Sequence, residues 1–205
     1  MTKRIGIIDY GVGNLTSVAN ALSYISVEPK ICNTSDGLEG LHGIILPGVG
    51  SFPAGMKNLE QLNIIEALED KVKSGLPLLG ICLGMQLLAK TSDEFSLTSG
   101  LDFIPGSVKK IDDQNGNLRI PHIGWNSVIF NDCTIARGLE RQEDFYFVHS
   151  YGFSESNEDY VKGVSHYGES IVAIVEKDNI FGTQFHPEKS QKAGLKMLEN
   201  FTNLC

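Results

Sequence analysis

Residues 76–88 read Leu-Pro-Leu-Leu-Gly-Ile-Cys-Leu-Gly-Met-Gln-Leu-Leu. From Leu76 to Cys82 the run is apolar without alternation, the pattern of a central strand buried on both faces. From Leu83 to Lys90 the pattern turns helical. The junction, Gly80-Ile81-Cys82-Leu83-Gly84, is a G-x-C-x-G sequence, the thiol counterpart of the nucleophile elbow. Such a turn is too tight for side chains two residues either side of the nucleophile. It lifts Cys82 to the carboxyl end of the sheet, where open α/β sheets hold ligands. A helix beginning at Leu83 turns its free N–H groups toward the sulfur and favours the thiolate. The N–H of Leu83 can also donate to an oxyanion on an attacked carbon. A cysteine in an apolar run also serves as a small buried hydrophobe; the flanking glycines and the strand-to-helix context weigh against that reading.

Strand and helix signals alternate on the amino-terminal side of this segment. Residues 4–8 (RIGII) form a β-rich run ending at the turn Gly11-Val12-Gly13-Asn14, and Leu15–Ile25 carries apolar residues at helical spacing. Extended pieces are expected at Lys30–Cys32 and Gly43–Leu46, the latter ending at Pro47. Residues 55–73 read as one amphipathic helix, with Gly75 as its C-cap. This order predicts an α/β fold, a mainly parallel sheet with helices on both faces. From about residue 106 the segments become short and β-rich (SVKKI, NSVIF, FYFVHSY, SIVAIVE, NIFGTQF), which adds an antiparallel carboxyl-terminal half. Lys177-Asp178-Asn179 is expected to turn a hairpin, and a closing helix to span roughly 190–201. With no repeat, low-complexity tract or linker, residues 1–205 read as a single domain.

A thiol nucleophile needs a base, and the base needs a group that fixes its tautomer. Of five histidines, only His186 has a carboxylate two residues on, in Phe185-His186-Pro187-Glu188. Pro187 pushes His186 toward extended angles. In an extended chain residues i and i+2 project to one side, so His186 and Glu188 can lie together. The bland alternative is an exposed turn after an edge strand. His149, in FYFVHSY, is a rival base without a nearby acid, and reads as a site-lining or structural histidine. His42, His122 and His166 read as surface or hydrogen-bonded residues. Pro47-Gly48-Val49-Gly50 can be a tight βα turn and also an anion-binding nest, with Val49 or Gly50 supplying the second oxyanion donor.

Other classes are disfavoured. A formal net charge of -8 with scattered Lys and Arg offers no basic face for nucleic acid or anionic membranes. No stretch approaches the roughly 20 apolar residues of a membrane span, and Asp9 interrupts the first apolar run too early for a signal peptide. Cys32, Cys82, Cys133 and Cys205 form no C-x-x-C pair, so reduced thiols in the cytoplasm are expected. No histidine pair has zinc-site spacing, and Thr16 stands where a dinucleotide fingerprint needs its third glycine. No metal and no cofactor is expected.

The segments GICLGMQ, PGVG and FHPEKS, in that order, resemble the class I (triad) glutamine amidotransferases. IIDYGVGN, LPGVGSFPAGM, PHIGWN, FYFVHSY and GTQFHPEKS extend the likeness over essentially the whole chain to one branch, the glutaminase subunits of imidazole glycerol phosphate synthases. The resemblance implies a flavodoxin-like three-layer fold and hydrolysis of L-glutamine to glutamate and ammonia, with Cys82, His186 and Glu188 as triad. It implies a heterodimer with a (β/α)₈-barrel cyclase subunit that receives the ammonia in histidine biosynthesis. By the same resemblance Gly50, Gln86, Ser150 and Tyr151 match the glutamine pocket, and Asn14, Ile123, Trp125 and Lys189 match the partner interface. Trp125 could instead be core, and Gln86 a helix-surface amide. A paralogue feeding a sugar amidotransferase in surface-polysaccharide synthesis, another branch of the family, or a catalytically inactive regulatory module on this fold are the alternatives.

Overall fold

In a computed structural model, residues 3–154 and 158–205 are described. The amino-terminal half supplies β1 (Arg4–Ile8), α1 (Leu15–Tyr24), β2 (Glu28–Cys32), β3 (Gly43–Gly48), α2 (Phe52–Gln61), α3 (Ile65–Lys73), β4 (Leu78–Cys82) and α4 (Leu83–Leu87). Short strands β5 (Ala89–Ser92), β6 (Thr98–Ser99) and β7 (Ile104–Lys110) follow. The remainder is β8 (His122–Phe130), β9 (Gln142–His149), β10 (Tyr151–Phe153), β11 (Val161–Tyr167), β12 (Glu169–Lys177), β13 (Ile180–Thr183) and α5 (Gln191–Leu204).

Nine strands form one sheet in the order β2-β1-β3-β4-β13-β12-β11-β8-β9. Pairing is parallel from β2 to β13 and antiparallel from β13 to β9. The parallel and antiparallel halves foreseen in the sequence are thus one continuous sheet, joined where β13 lies beside β4. A second sheet, β10-β7-β5-β6, stands apart. Successive strand residues point to opposite faces, and the core divides accordingly. Ile8, Ile44, Leu46 and Leu78 pack with Phe52, Leu59 and Leu68 of α2 and α3 and with the second sheet. Ile5, Ile7, Ile45, Leu79 and Ile81 pack with Val18 and Leu22 of α1 and Leu198 and Phe201 of α5. Every residue of β4 is buried, as its unbroken apolar run requires.

Two expected helices are corrected. Residues 55–73 are two helices, broken at Leu62–Ile64, where Asn63 takes φ 51°. Asparagine is one of the few side chains that visits this left-handed region readily, and its carbonyl is held by the Ser35 hydroxyl. Beyond the break α3 ends as expected: Gly75 N–H bonds Val72 O and Leu76 N–H bonds Lys71 O, the Schellman pattern. The helix expected over 83–90 stops at Leu87. The Leu87 carbonyl accepts from Leu101 N–H, and the Leu88 carbonyl from Phe103 and Ile104, so the chain is drawn into β5 instead. The strand β11 carried no clear signal, because Gly163, Ser165 and His166 dilute its apolar alternation. Asp178 turns the β12–β13 hairpin at φ 55°.

Candidate active site

Cys82 ends β4 and begins α4 with φ 55° and ψ -109°, a strained conformation for a residue with a side chain. The strain is held by two close approaches. A Cβ on Gly80 would lie 2.6 Å from the Gly84 carbonyl oxygen, and one on Gly84 would lie 1.7 Å from Leu46 O of the neighbouring strand. Only glycines admit this elbow. The register pairs Gly48 with Cys82, so the chain leaves β3 beside the thiol and runs on through Val49 and Gly50, which has φ 108°.

His186 arrives from the other side of β4, just beyond β13. Its backbone N–H bonds Tyr146 O of β9, and the Ser190 hydroxyl bridges His186 O and the Tyr146 N–H. The extended segment predicted at His186-Pro187 (φ -98°, ψ 96°) leads into a short turn at Pro187–Lys189. His186 Nδ1 lies 2.8 Å from Glu188 Oε1, with both side chains buried. A carboxylate only accepts, so Nδ1 carries the proton and Nε2 is the ring's free end. Burial opposes a charge on this imidazole, but interaction with the Cys82 sulfur and the Glu188 carboxylate outweighs it and raises the pKa to about 9. In the resting arrangement Nε2 and the sulfur are neighbours without an aligned hydrogen bond. The thiol instead points to the Val148 carbonyl at 3.8 Å.

A cavity of about 240 Å³ lies at the thiol. Val49, Gly50, Leu83, Gln86, Ser150 and Tyr151, all expected at the oxyanion site or pocket, line it together with Cys82. Gln86 is buried and not a surface amide. Its Nε2 donates to Tyr151 O at 2.7 Å and to Gln184 Oε1 at 3.1 Å.

Two lining or supporting groups escaped the sequence reading. Gln184 Nε2 reaches toward Cys82 Sγ at 3.9 Å; its signal was the same two-residue alternation that pairs His186 with Glu188. Glu94 is buried at the pocket wall, accepts from Phe52 N–H at 2.7 Å, and has its pKa raised by burial. It follows β5, where a helix was expected, so nothing aimed it at the site. His149 also lines the cavity, bonded through Nδ1 to Tyr151 O. It lines the site, as expected, and does not contact an acid.

The four residues matched to a partner interface are exposed or half exposed. Ile123 and Trp125 are 54% and 50% exposed on β8. Trp125 packs edge-on against Tyr146, whose ring lies under Lys189 Nζ at 5.9 Å. Asn14 caps α1, its side chain accepting from Ser17 N–H.

The family model for "Glutamine amidotransferase class-I" matches residues 6–204. The chain belongs to this family. Relatives named imidazole glycerol phosphate synthase subunit HisH are 43% identical in Moorella thermoacetica, over 98% of this chain and 95% of that protein. The corresponding protein of Methanocaldococcus jannaschii is 45% identical over 98% of this chain and 99% of its own length. In Campylobacter jejuni strain RM1221, a protein named subunit HisH 1 is 46% identical over 98% of this chain and all of that one. Among solved structures, a glutamine amidotransferase superposes with TM-score 0.76 at 21% identity, covering 98% of this chain and 97% of its own. PurLQS from Thermotoga maritima gives TM-score 0.76 at 21% identity, covering 99% of each chain. At that identity the superpositions speak for the fold alone. The chain is an enzyme of the class I glutamine amidotransferase fold, as its motifs implied.

Proposed function

We propose that the chain is the glutaminase subunit of an imidazole glycerol phosphate synthase, a single catalytic domain that hydrolyses L-glutamine and passes ammonia to a (β/α)₈-barrel cyclase subunit. The observation that carries the chemistry is the His186–Glu188 pair, 2.8 Å apart and buried, set beside a cysteine on a strained elbow. The full-length likeness to proteins named as this subunit supports the pathway.

In this reading Cys82 attacks the side-chain amide carbon of glutamine. The oxyanion is held by the N–H groups of Leu83 and of the Val49–Gly50 loop. His186 gives its proton to the leaving nitrogen, ammonia departs, and a glutamyl thioester remains. His186 then takes a proton from water, which attacks the thioester and releases glutamate. Glu188 keeps the imidazole in the tautomer that presents Nε2. Glu94, the acidic side chain at the pocket wall, suits the substrate's α-ammonium group. Half of the oxyanion site depends on how the Val49–Gly50 loop presents its N–H groups, so the free subunit should turn over slowly. Removal of a single oxyanion donor costs about 100- to 1,000-fold in such sites, which sets the scale of activation available to a partner.

Docking fits the face carrying Ile123, Trp125, Lys189 and Asn14, since ammonia must reach its acceptor before protonation ends its nucleophilicity. No helix among the described residues is long and apolar enough to cross a membrane; a cytoplasmic location suits free thiols at all four cysteines. The test is ammonia release from glutamine with and without a cyclase subunit, with Cys82→Ala as control. Strong activation by the cyclase is expected. High activity of the isolated chain, indifferent to any cyclase, would overturn the subunit assignment.

A further inference from the structure

Strand β8 has two unlike faces. Its outward residues, Ile123 and Trp125, are half exposed, while His122 is buried and Asn126 turns inward. The inward pair begins a hydrogen-bond chain whose directions are forced. His149 Nδ1 lies 2.9 Å from the Tyr151 carbonyl, which only accepts, so His149 carries its proton there and Nε2 is an acceptor. His122 Nδ1, 3.0 Å from that Nε2, must then be the donor. His122 Nε2 is left as an acceptor, and Asn126 Nδ2 supplies the proton at 3.2 Å while also donating to His166 O. Asn126 Oδ1 accepts from Ser127 N–H, which fixes the amide's orientation.

The chain does not stop at Tyr151. The same carbonyl accepts from Gln86, which also donates to Gln184, whose own amide reaches toward the Cys82 sulfur. His122 is clamped in place between two rings, Phe147 at 4.8 Å and Tyr167 at 4.0 Å, both nearly parallel to it. One ring thus joins the inner side of a surface strand to the wall of the glutamine pocket.

We propose that His122 is a positioning residue for the glutaminase reaction: it fixes the tautomer of His149, and through it the pocket wall that Cys82 shares. The proposal rests on the glutaminase reading of this site. Its chemical content is that one pocket imidazole, His186, is free to carry a proton while the other is locked neutral. A proton on His149 Nε2 would break its bond to His122. It would also set a second cation beside His186, with which it already interacts electrostatically. The titratable groups around the two linked rings are His186 with Glu188 behind it, Cys82 at the elbow, Glu94 and Tyr151 across the pocket, and Tyr167 on His122. Burial depresses both imidazoles, His122 to about 4 and His149 to about 3. Removing the His122 donor would leave the buried His149 Nε2 without a partner and free the ring to take the other tautomer, with its proton on Nε2 and none for the Tyr151 carbonyl.

The test compares His122→Phe, which keeps a ring between Phe147 and Tyr167, with His122→Asn, whose amide nitrogen stands close to the position of Nδ1. Imidazole ¹⁵N resonances are followed from pH 8 to pH 4 in the purified chain. Melting temperature is measured alongside, and kcat and KM for glutamine with the cyclase subunit bound. The wild type is expected to hold His149 as the Nδ1–H tautomer down to pH 5. His122→Phe should let the Nε2–H tautomer of His149 appear and lower kcat/KM at least tenfold, with a fall in melting temperature no larger than that of His122→Asn. His122→Asn should restore the tautomer and most of the rate. A wild-type His149 protonated on Nε2 alone, a His122→Phe profile superimposable on the wild type, or equal losses in both variants would overturn the proposal. A wild type that releases no ammonia with any cyclase would refute the glutaminase reading instead, and the resonances would still decide the relay.

Discussion

Replacing Gly84 with alanine adds one methyl group where the backbone leaves no room. The new carbon would stand 1.7 Å from Leu46 O and 2.7 Å from Leu46 C, against the 3.0 Å below which real contacts essentially never fall. Leu46 is in the middle of β3, paired on one side with β4 and fully buried, so it cannot yield cheaply. The elbow must retreat by more than an ångström. Overpacking of this kind costs about 1–3 kcal/mol and occasionally more, and about 3 kcal/mol lowers the melting temperature of a chain this size by roughly 6–12 °C. Misplacing a reacting group by about 1 Å costs on the order of 100-fold. Gly84→Ala should therefore lose at least that factor in kcat, measured by coupled ammonia detection, and melt several degrees lower by scanning calorimetry. Gly40→Ala is the control. It has a positive φ of 68° but no atom within 4 Å of the added carbon, so it should cost about 1–2 kcal/mol and leave kcat alone. A Gly84→Ala enzyme with wild-type rate and melting temperature would refute the argument that this contact shapes the nucleophile.

Glu188→Gln keeps the shape of the dyad but removes the charge, so the His186 pKa should fall below about 9. The alkaline limb of the rate profile, where the protonated imidazole is lost, should then shift to lower pH as kcat drops about 100- to 10,000-fold; an unmoved limb would contradict the pairing. Stability should fall on acidification. His122 and His149 bind protons less readily folded, near 4 and 3, than unfolded, near 6.5, so stability present above 6.5 is lost as pH falls toward 4. His186 has the opposite sign, contributing fully below 6.5 and losing its contribution as pH rises through about 9; urea midpoints from pH 4 to 10 would expose both slopes, and a flat acid side would count against the buried neutral pair. Trp125→Ala should leave the melting temperature nearly unchanged, because the ring is half exposed. It should weaken cyclase binding more than tenfold by calorimetric titration, the scale of a central aromatic anchor, and an unaltered Kd would remove Trp125 from the interface.

The sequence was most informative where one physical constraint acts on adjacent residues. The unbroken apolar run of 78–82 can only be a two-sided strand, and the flanking glycines of Cys82 have no other use than close approach. His186 and Glu188 were legible for a similar reason, because two-residue spacing in extended chain fixes relative direction. What stayed hidden depends on partners distant in sequence. Leu88 and Lys90 have good helical patterning, yet the helix ends because residues 101–104 claim its carbonyls. Glu94 was lost with that misreading. The His122–His149 contact joins residues 27 positions apart through β8–β9 register, and no local pattern announces it. At Asn63 the clue was present, since asparagine is the residue that admits a left-handed kink, but the unbroken apolar periodicity from 56 to 72 outweighed it.

The strand order also says when the enzyme can come into being. The nucleophile is synthesised at residue 82, but the strand that flanks β4 and delivers the imidazole is residues 180–183. Until those residues leave the ribosome, a nascent chain displays Leu78–Cys82 with one edge unpaired, an apolar template for misassembly. Such a chain holds a thiol with no base beside it. Ammonia production is in this way deferred until residues 180–188 have been made, and the stretch left with an open edge during that interval is the one that later carries the chemistry.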